Sequence, residues 1–143
     1  MAFTGNAYCN SFRKELLTAT HNFTATTGDV FKLALYSDSA ILTAATTDYS
    51  TDGEVTGAGY TPGGAALTNI TPVVLGTTGI ADFADLTFPA VTLTARGALI
   101  YNSTAGTNAV LVLDFGRAIA KVAADLVITF PTADASNAIV KVN

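Results

Sequence analysis

The sequence predicts an all-β fold, a β-sandwich or jelly-roll-like barrel preceded by an N-terminal arm and one short α-helix. Three observations lead there. Residues Leu86–Asn102, LTFPAVTLTARGALIYN, alternate with a period of two: Val91, Leu93, Ala95, Gly97, Leu99 and Tyr101 point one way, and Thr92, Thr94, Arg96, Ala98, Ile100 and Asn102 the other. That is a strand with one face on a core, since a helix would spread these residues around its circumference. Threonine, which suits the solvent face of strands and disfavours helix interiors, makes up about one residue in six. Turn signals separate seven or eight strand candidates at the spacing of about 8–12 residues typical of a sandwich or Greek-key barrel.

A chain of 143 residues has the size of one domain and buries roughly two-thirds of its unfolded surface. The predicted layout is a single domain over residues 1–143, with the arm and helix in 1–20 and the sandwich or barrel in 28–143. In the arm, Phe3 and Tyr8 are the only bulky side chains before residue 9, apart from Met1, and order there requires that the two aromatics be captured. Asn10 or Ser11 is placed to cap a helix running to about Ala19. Its stripe of Cys9, Phe12, Leu16 and Ala19 is buried, while Arg13, Lys14 and Glu15 face out.

Residues 30–36, VFKLALY, read as a half-buried strand. Residues 37–64 are rich in Ser, Thr, Asp and Gly. They read as a long ordered loop anchored by Tyr49, Val55 and Tyr60, with a short strand at 54–56, and loops of this length are functional or pinned by partners. Residues 65–75 and 80–84 are short strands about a Gly76–Gly79 turn, and Pro72 keeps the first off any central ladder position that needs a donor. Gly97 marks a bulge or bend, so the organising stretch is one long bent strand or two short ones crossing between sheets at Arg96-Gly97. Residues 102–108 carry hairpin chemistry, and 109–115, AVLVLDF, return as a central strand that Gly116 ends. Residues 117–124, RAIAKVAA, fit a helical turn or an apolar loop. Residues 125–130 and 138–142 are the last two strands.

Charged residues are 13% of the chain and hydrophobic ones 50%, against a charged share of about 25% in ordinary soluble domains. The exterior must then be clad in small polar and apolar residues or covered by other chains. A net charge of −4 with seven basic residues thinly spread provides no basic patch for nucleic acid. Mean hydropathy is +0.43, yet no apolar run reaches the ~20 residues of a membrane span, so the hydropathy points to buried protein contacts. Cys9 is the single cysteine, which excludes an internal disulfide and a cysteine zinc cluster. The N-terminus has no continuous apolar segment of a secretory signal, and synthesis in a reducing cytoplasm is the expectation.

No catalytic, cofactor or metal site is expected. His21, the lone histidine, has no nucleophile motif beside it and reads as a loop residue capping local backbone. Residues 48–54, DYSTDGE, imitate the opening of a calcium loop, but position twelve is Gly59 where a bidentate Glu is needed; an ordered Asp/Gly turn is the reading. The glycine-rich 57–64 run does not match GxGxxG and precedes no helix, so its glycines serve to let a loop lie flat on a neighbouring surface. Asp82, Asp85 and Asp114 read as strand-end acids bonding backbone amides rather than a glycosidase pair. Arg96 is either paired to one of those three acids or exposed for a partner's carboxylate. Large groups outside the strongest strands, Phe3, Tyr8, Phe12, Tyr49 and Tyr60, together with Arg96, are the candidate assembly contacts.

The segments AYCNSFRKELL, FKLALYSDSA, GYTPGGAALTN, TARGALIYNSTAG, AVLVLDFG and ITFPTADASNAIVKV together resemble a family of small virion structural proteins of tailed bacteriophages. The resemblance spans almost the whole chain, with TARGALIYN and VLDFG its most specific parts. It implies a non-enzymatic particle component, and within that class a capsid decoration (cement) protein: β-rich, a homotrimer, bound where capsomers meet. Implied partners are the major capsid protein and copies of the chain itself, on the capsid surface of the virion after synthesis in the host bacterial cytoplasm. A tail or neck component is the alternative, and a glycan-binding module on the particle the second. Relatives carry a polar loop after LDFG where this chain has the apolar RAIAKVAAD, which opens the prospect of an extra contact surface.

Overall fold

The structure, a computed structural model, describes residues 3–143; Met1 and Ala2, the start of the predicted arm, lie outside the described residues. The elements are β1 (Ala7–Tyr8), α1 (Asn10–Leu17), β2 (Phe31–Tyr36), β3 (Ala65–Ala66), β4 (Asn69–Leu75), β5 (Thr78–Phe83), β6 (Leu86–Asn102), β7 (Asn108–Ile128) and β8 (Val140–Val142). They form two antiparallel sheets, one ordered β1-β7-β6-β2-β3 and the other β4-β5-β8. The fold is all-β and sandwich-like, with one short helix.

The 86–102 stretch is one continuous strand, bent rather than divided. Its first half alternates in burial up to Thr94, and from Ala95 to Asn102 every residue is buried. The reason is what lies on each side. Cross-strand pairing puts Lys32, Ala34 and Tyr36 on one face with Tyr101, Leu99 and Gly97, and Phe31, Leu33 and Leu35 on the other with Asn102, Ile100 and Ala98. The 37–64 loop covers the first face: Tyr49 stacks on Tyr101 at 4.7 Å and the Tyr36 hydroxyl donates to the Ser50 carbonyl at 2.6 Å. Over the second face the aromatic cluster bridges the sheets, Phe31 of β2 lying 4.4 Å from Phe23 and 5.6 Å from Phe83 of β5. The predicted half-buried strand at 30–36 is therefore covered on both sides, because a loop lacking periodicity closes over it.

Gly116 does not end the return strand, and 117–124 is neither helical turn nor loop. β7 runs on to Ile128 as the partner of β6. Between the pairs Gly97–Asp114 and Ala95–Ile119, the single residue Arg96 faces residues 115, 116, 117 and 118. Gly116, at φ 78°, takes up this bulge, which glycine does without steric cost. A second offset falls between Val91 and Leu93, opposite Ala123 at φ 45°. Bulges let the strand pass the glycine and bend instead of stopping.

The helix also differs from expectation. Its N-cap is Cys9, without a side-chain cap bond, and it stops at Leu17. Ala19 adopts φ 57°, and the amides of Ala19 and Thr20 bond back to the Leu16 and Glu15 carbonyls. This is a Schellman termination, which satisfies the last carbonyls and turns the chain away two residues early. The predicted strand at 54–56 is a single bridge, Tyr36 to Glu54, and the last strand is shortened to Val140–Val142.

Candidate assembly surface

The six predicted contact residues are placed in the chain's own packing. Phe3 and Phe12 are fully buried, Tyr60 and Arg96 are buried, and Tyr8 and Tyr49 are half-buried. Phe3, close to the chain start, lies under the Arg96 guanidinium, 5.5 Å from carbon to ring centroid. Tyr8 donates its hydroxyl to the Ile139 carbonyl at 2.8 Å, tying the arm to the segment before β8. Phe12 meets Phe23 edge-on at 6.0 Å.

Tyr49 and Tyr60 converge on one carboxylate. Their hydroxyls donate to Glu54 Oε2 and Oε1 at 2.6 and 2.7 Å, and the Gly63 amide donates to Oε1 at 2.7 Å. Burial, and then the bond to Glu54, pushes both phenols well above their usual range. Glu54 is thus the knot of the 37–64 loop. The glycine run behaves as expected, with this chain's own strands as the neighbouring surface: a Cβ on Gly64 would stand 1.9 Å from the Leu33 carbonyl oxygen. Residues 48–54 form an ordered turn, and among the described residues no group of three or more His, Cys, Asp or Glu side chains is placed to hold a metal ion.

Arg96 pairs with Asp114, one of the three acids anticipated, and Asp38 stands 3.7 Å away. Asp114 also accepts from the Gly5 and Gly116 amides, and the Arg96 bond above all holds its carboxyl below the usual range. Asp85 accepts from the Phe130 amide at 2.9 Å, and Asp82 from the Phe83 amide at 2.8 Å. All three acids bond backbone amides. Asp82 is 1% exposed and its Oδ2 has no partner, so burial pushes its carboxyl up.

His21 binds side chains, where local backbone was expected. Asn102 Oδ1 accepts from the Thr104 and Ala105 amides, both at 3.0 Å, which turns its Nδ2 toward His21 Nδ1 at 3.0 Å and Asp29 at 2.7 Å. Nδ1 must then accept, so the hydrogen sits on Nε2 and is donated to Glu15 at 2.6 Å. The ring therefore joins α1 to the β6–β7 hairpin, and no hydroxyl or thiol is among its hydrogen-bond partners. Burial, with Glu15 nearby, pushes the Cys9 thiol up to about 11, in the direction of lower reactivity.

The outer surface is apolar where the sequence was least informative. Leu17 is 89% exposed, Ile41 83%, Val122 80% and Val74 73%. Leu16 and Leu17 of α1, Val73 and Val74 of β4, and Val140 and Val142 of β8 line two hollows of about 380 and 560 Å³ that share Leu16, Val140 and Val142. The signal for this surface was the PVVL run, two valines in succession on a strand that Pro72 keeps at a sheet edge. The apolar departure after LDFG lies on the bulged half of β7, and its Val122 projects outward. Among the described residues no helix is long and apolar enough to cross a membrane. No family model, curated protein or solved structure matches this chain.

Proposed function

We propose that this chain is a structural protein of a tailed-phage particle, a capsid decoration protein that binds the outside of the shell and strengthens it by contacts with the major capsid protein and with copies of itself, as a homotrimer. The observation that carries the reading is the apolar outer surface of a sparsely charged β domain. A protein alone in water rarely leaves a continuous apolar surface such as that of Leu17, Val73, Val74 and Val142 uncovered unless it meets a partner. Few ions need desolvating at such a contact, which favours close packing. Many copies, each burying about 1,000 Å² or more, oppose internal pressure by summed non-covalent contacts, with no reactive group involved. The resemblance to virion proteins supplies the setting.

Adding the purified protein to shells stripped of decoration proteins tests the proposal. Binding that saturates at a fixed ratio to capsid subunits, with a gain in shell stability to heat, is the expected result. No binding to shells, with binding to tails or necks, would transfer the protein there.

A further inference from the structure

We propose that copies of this chain join head to tail, an acid-flanked apolar knob at Ile41 of one copy seating in the base-flanked apolar groove beside α1 of the next. The proposal deepens the self-assembly part of the reading above and rests on it.

The groove is the pair of hollows between α1, β4 and β8. Its most open members, Leu17 and Val74, are 89% and 73% exposed. Arg13 and Lys141 line its rim. Lys141 Nζ donates to the Ser136 carbonyl at 2.8 Å, and among the described residues neither cation forms an ion pair. Two of the chain's seven basic residues thus flank apolar surface without a direct ion pair, Lys141 feeling only the charge of the exposed Asp134.

The knob has the opposite character. Ala40 and Leu42 are buried at 2% and 6% exposure, which fixes the backbone on both sides of Ile41 and leaves its side chain 83% exposed. Asp48 and Asp52 share one hollow with Ile41, both are exposed, and among the described residues neither is paired with a cation. Asp38 is already engaged by Arg96. A base-flanked apolar groove and an acid-flanked apolar side chain on one chain match in apolar character and oppose in sign, and complementary charge fixes which surfaces meet. Knob and groove share no residue, so one molecule can use both at once. The contact is therefore heterologous, the type that closes into a ring when the rotation permits, as a trimer requires.

Two variants test this. Ile41→Asp removes the knob and keeps the groove; Leu17→Asp with Val74→Asp removes the groove and keeps the knob. These positions are exposed, and circular dichroism with unfolding midpoints verifies the fold of each. Each variant alone should sediment with self-association weakened about tenfold or more. Mixed in equal amounts they should form a one-to-one dimer that grows no further, because one working knob meets one working groove. Asp48→Lys with Asp52→Lys should weaken self-association, and mixing that variant with one carrying Arg13→Glu and Lys141→Glu should restore the contact between unlike copies, read as mixed dimers that neither variant forms alone. A wild type that stays monomeric at high concentration, an assembly indifferent to Ile41→Asp, or a mixture that forms no dimer would overturn the proposal. Saturating binding to shells in any of those cases would leave the decoration reading standing while removing this one.

Discussion

Arg96 on β6 hydrogen-bonds Asp114 on β7 across the bulge where one residue faces four, and this pair gathers segments far apart in sequence. The same carboxylate accepts the Gly5 amide at 2.9 Å and the Gly116 amide at 2.8 Å, while Phe3 packs against the guanidinium. The arm, the bulge and the bend of β6 therefore meet at one ionic contact.

Replacing Arg96 with Gln leaves Asp114 with its amide donors alone, and the expected cost is about 2 kcal/mol, the scale of a hydrogen bond to a charged group. The sign with pH follows from the lowered carboxyl. The stabilisation is present above the ordinary carboxylate range, about 3.9, and is lost as pH falls through the lower folded value. Urea unfolding of both proteins at pH 7 and at pH 3 should show the gap between them narrowing in acid. A gap independent of pH would contradict the pairing.

Asp82 predicts the opposite slope. Its folded pKa is raised by burial, so its contribution is present below the ordinary carboxylate range and lost as pH rises through the folded value. Asp82→Asn keeps an oxygen for the Phe83 amide and removes the charge. Relative to wild type, the variant should gain stability in urea unfolding as pH rises above the ordinary carboxylate range, about 3.9, and the gain should level off once the folded carboxyl ionises; a constant difference would count against a buried carboxyl with a raised pKa.

Gly97 is where the bend of β6 admits the arm. A Cβ there would fall 2.3 Å from the Phe3 ring and 2.5 Å from the Leu113 carbonyl oxygen. Gly97→Ala should cost about 1–3 kcal/mol through overpacking. Combined with Phe3→Leu, the penalty should be less than the sum of the two single changes, because the leucine vacates the space. Strict additivity would show that the ring is not what the new methyl meets.

The Glu54 knot should respond unequally to loss of its phenols. Tyr49→Phe removes one donor, at about 1 kcal/mol. Tyr60→Phe also strands the Leu35 amide, which donates to that hydroxyl at 2.9 Å in a buried position, so its cost should exceed that of Tyr49→Phe. Hydrogen exchange in residues 37–64 should accelerate more in the Tyr60 variant. Equal effects would argue that the Leu35 amide finds another acceptor.

What the sequence made legible was periodic. The 86–102 strand with the alternation of its first half, the apolar 109–113 run and the hairpin between them have their expected form, because pairing and burial leave a pattern with period two. The bulge at residues 115–118 and the continuation of β7 were hidden, since a glycine inside a ladder and one at a strand end look alike until the partner is known. Phe12 was legible on the buried stripe of its helix and Tyr60 as a loop anchor, whereas what these two and Phe3 pack against was hidden for a related reason. They sit on an arm, a helix and an aperiodic loop, and only the tertiary fold shows that those segments cover the sheets. The apolar groove could have been sought in Val73 and Val74, neighbours in sequence that a single strand cannot bury on the same face.

The most direct measurement is electron cryo-microscopy of an intact particle carrying this chain, with each copy located and oriented. The account predicts copies on the outer face of the shell, with the surface around Leu17 and Val74 turned toward a neighbouring chain. Copies confined to the tail or neck, or copies on the shell with that surface open to solvent, would contradict it.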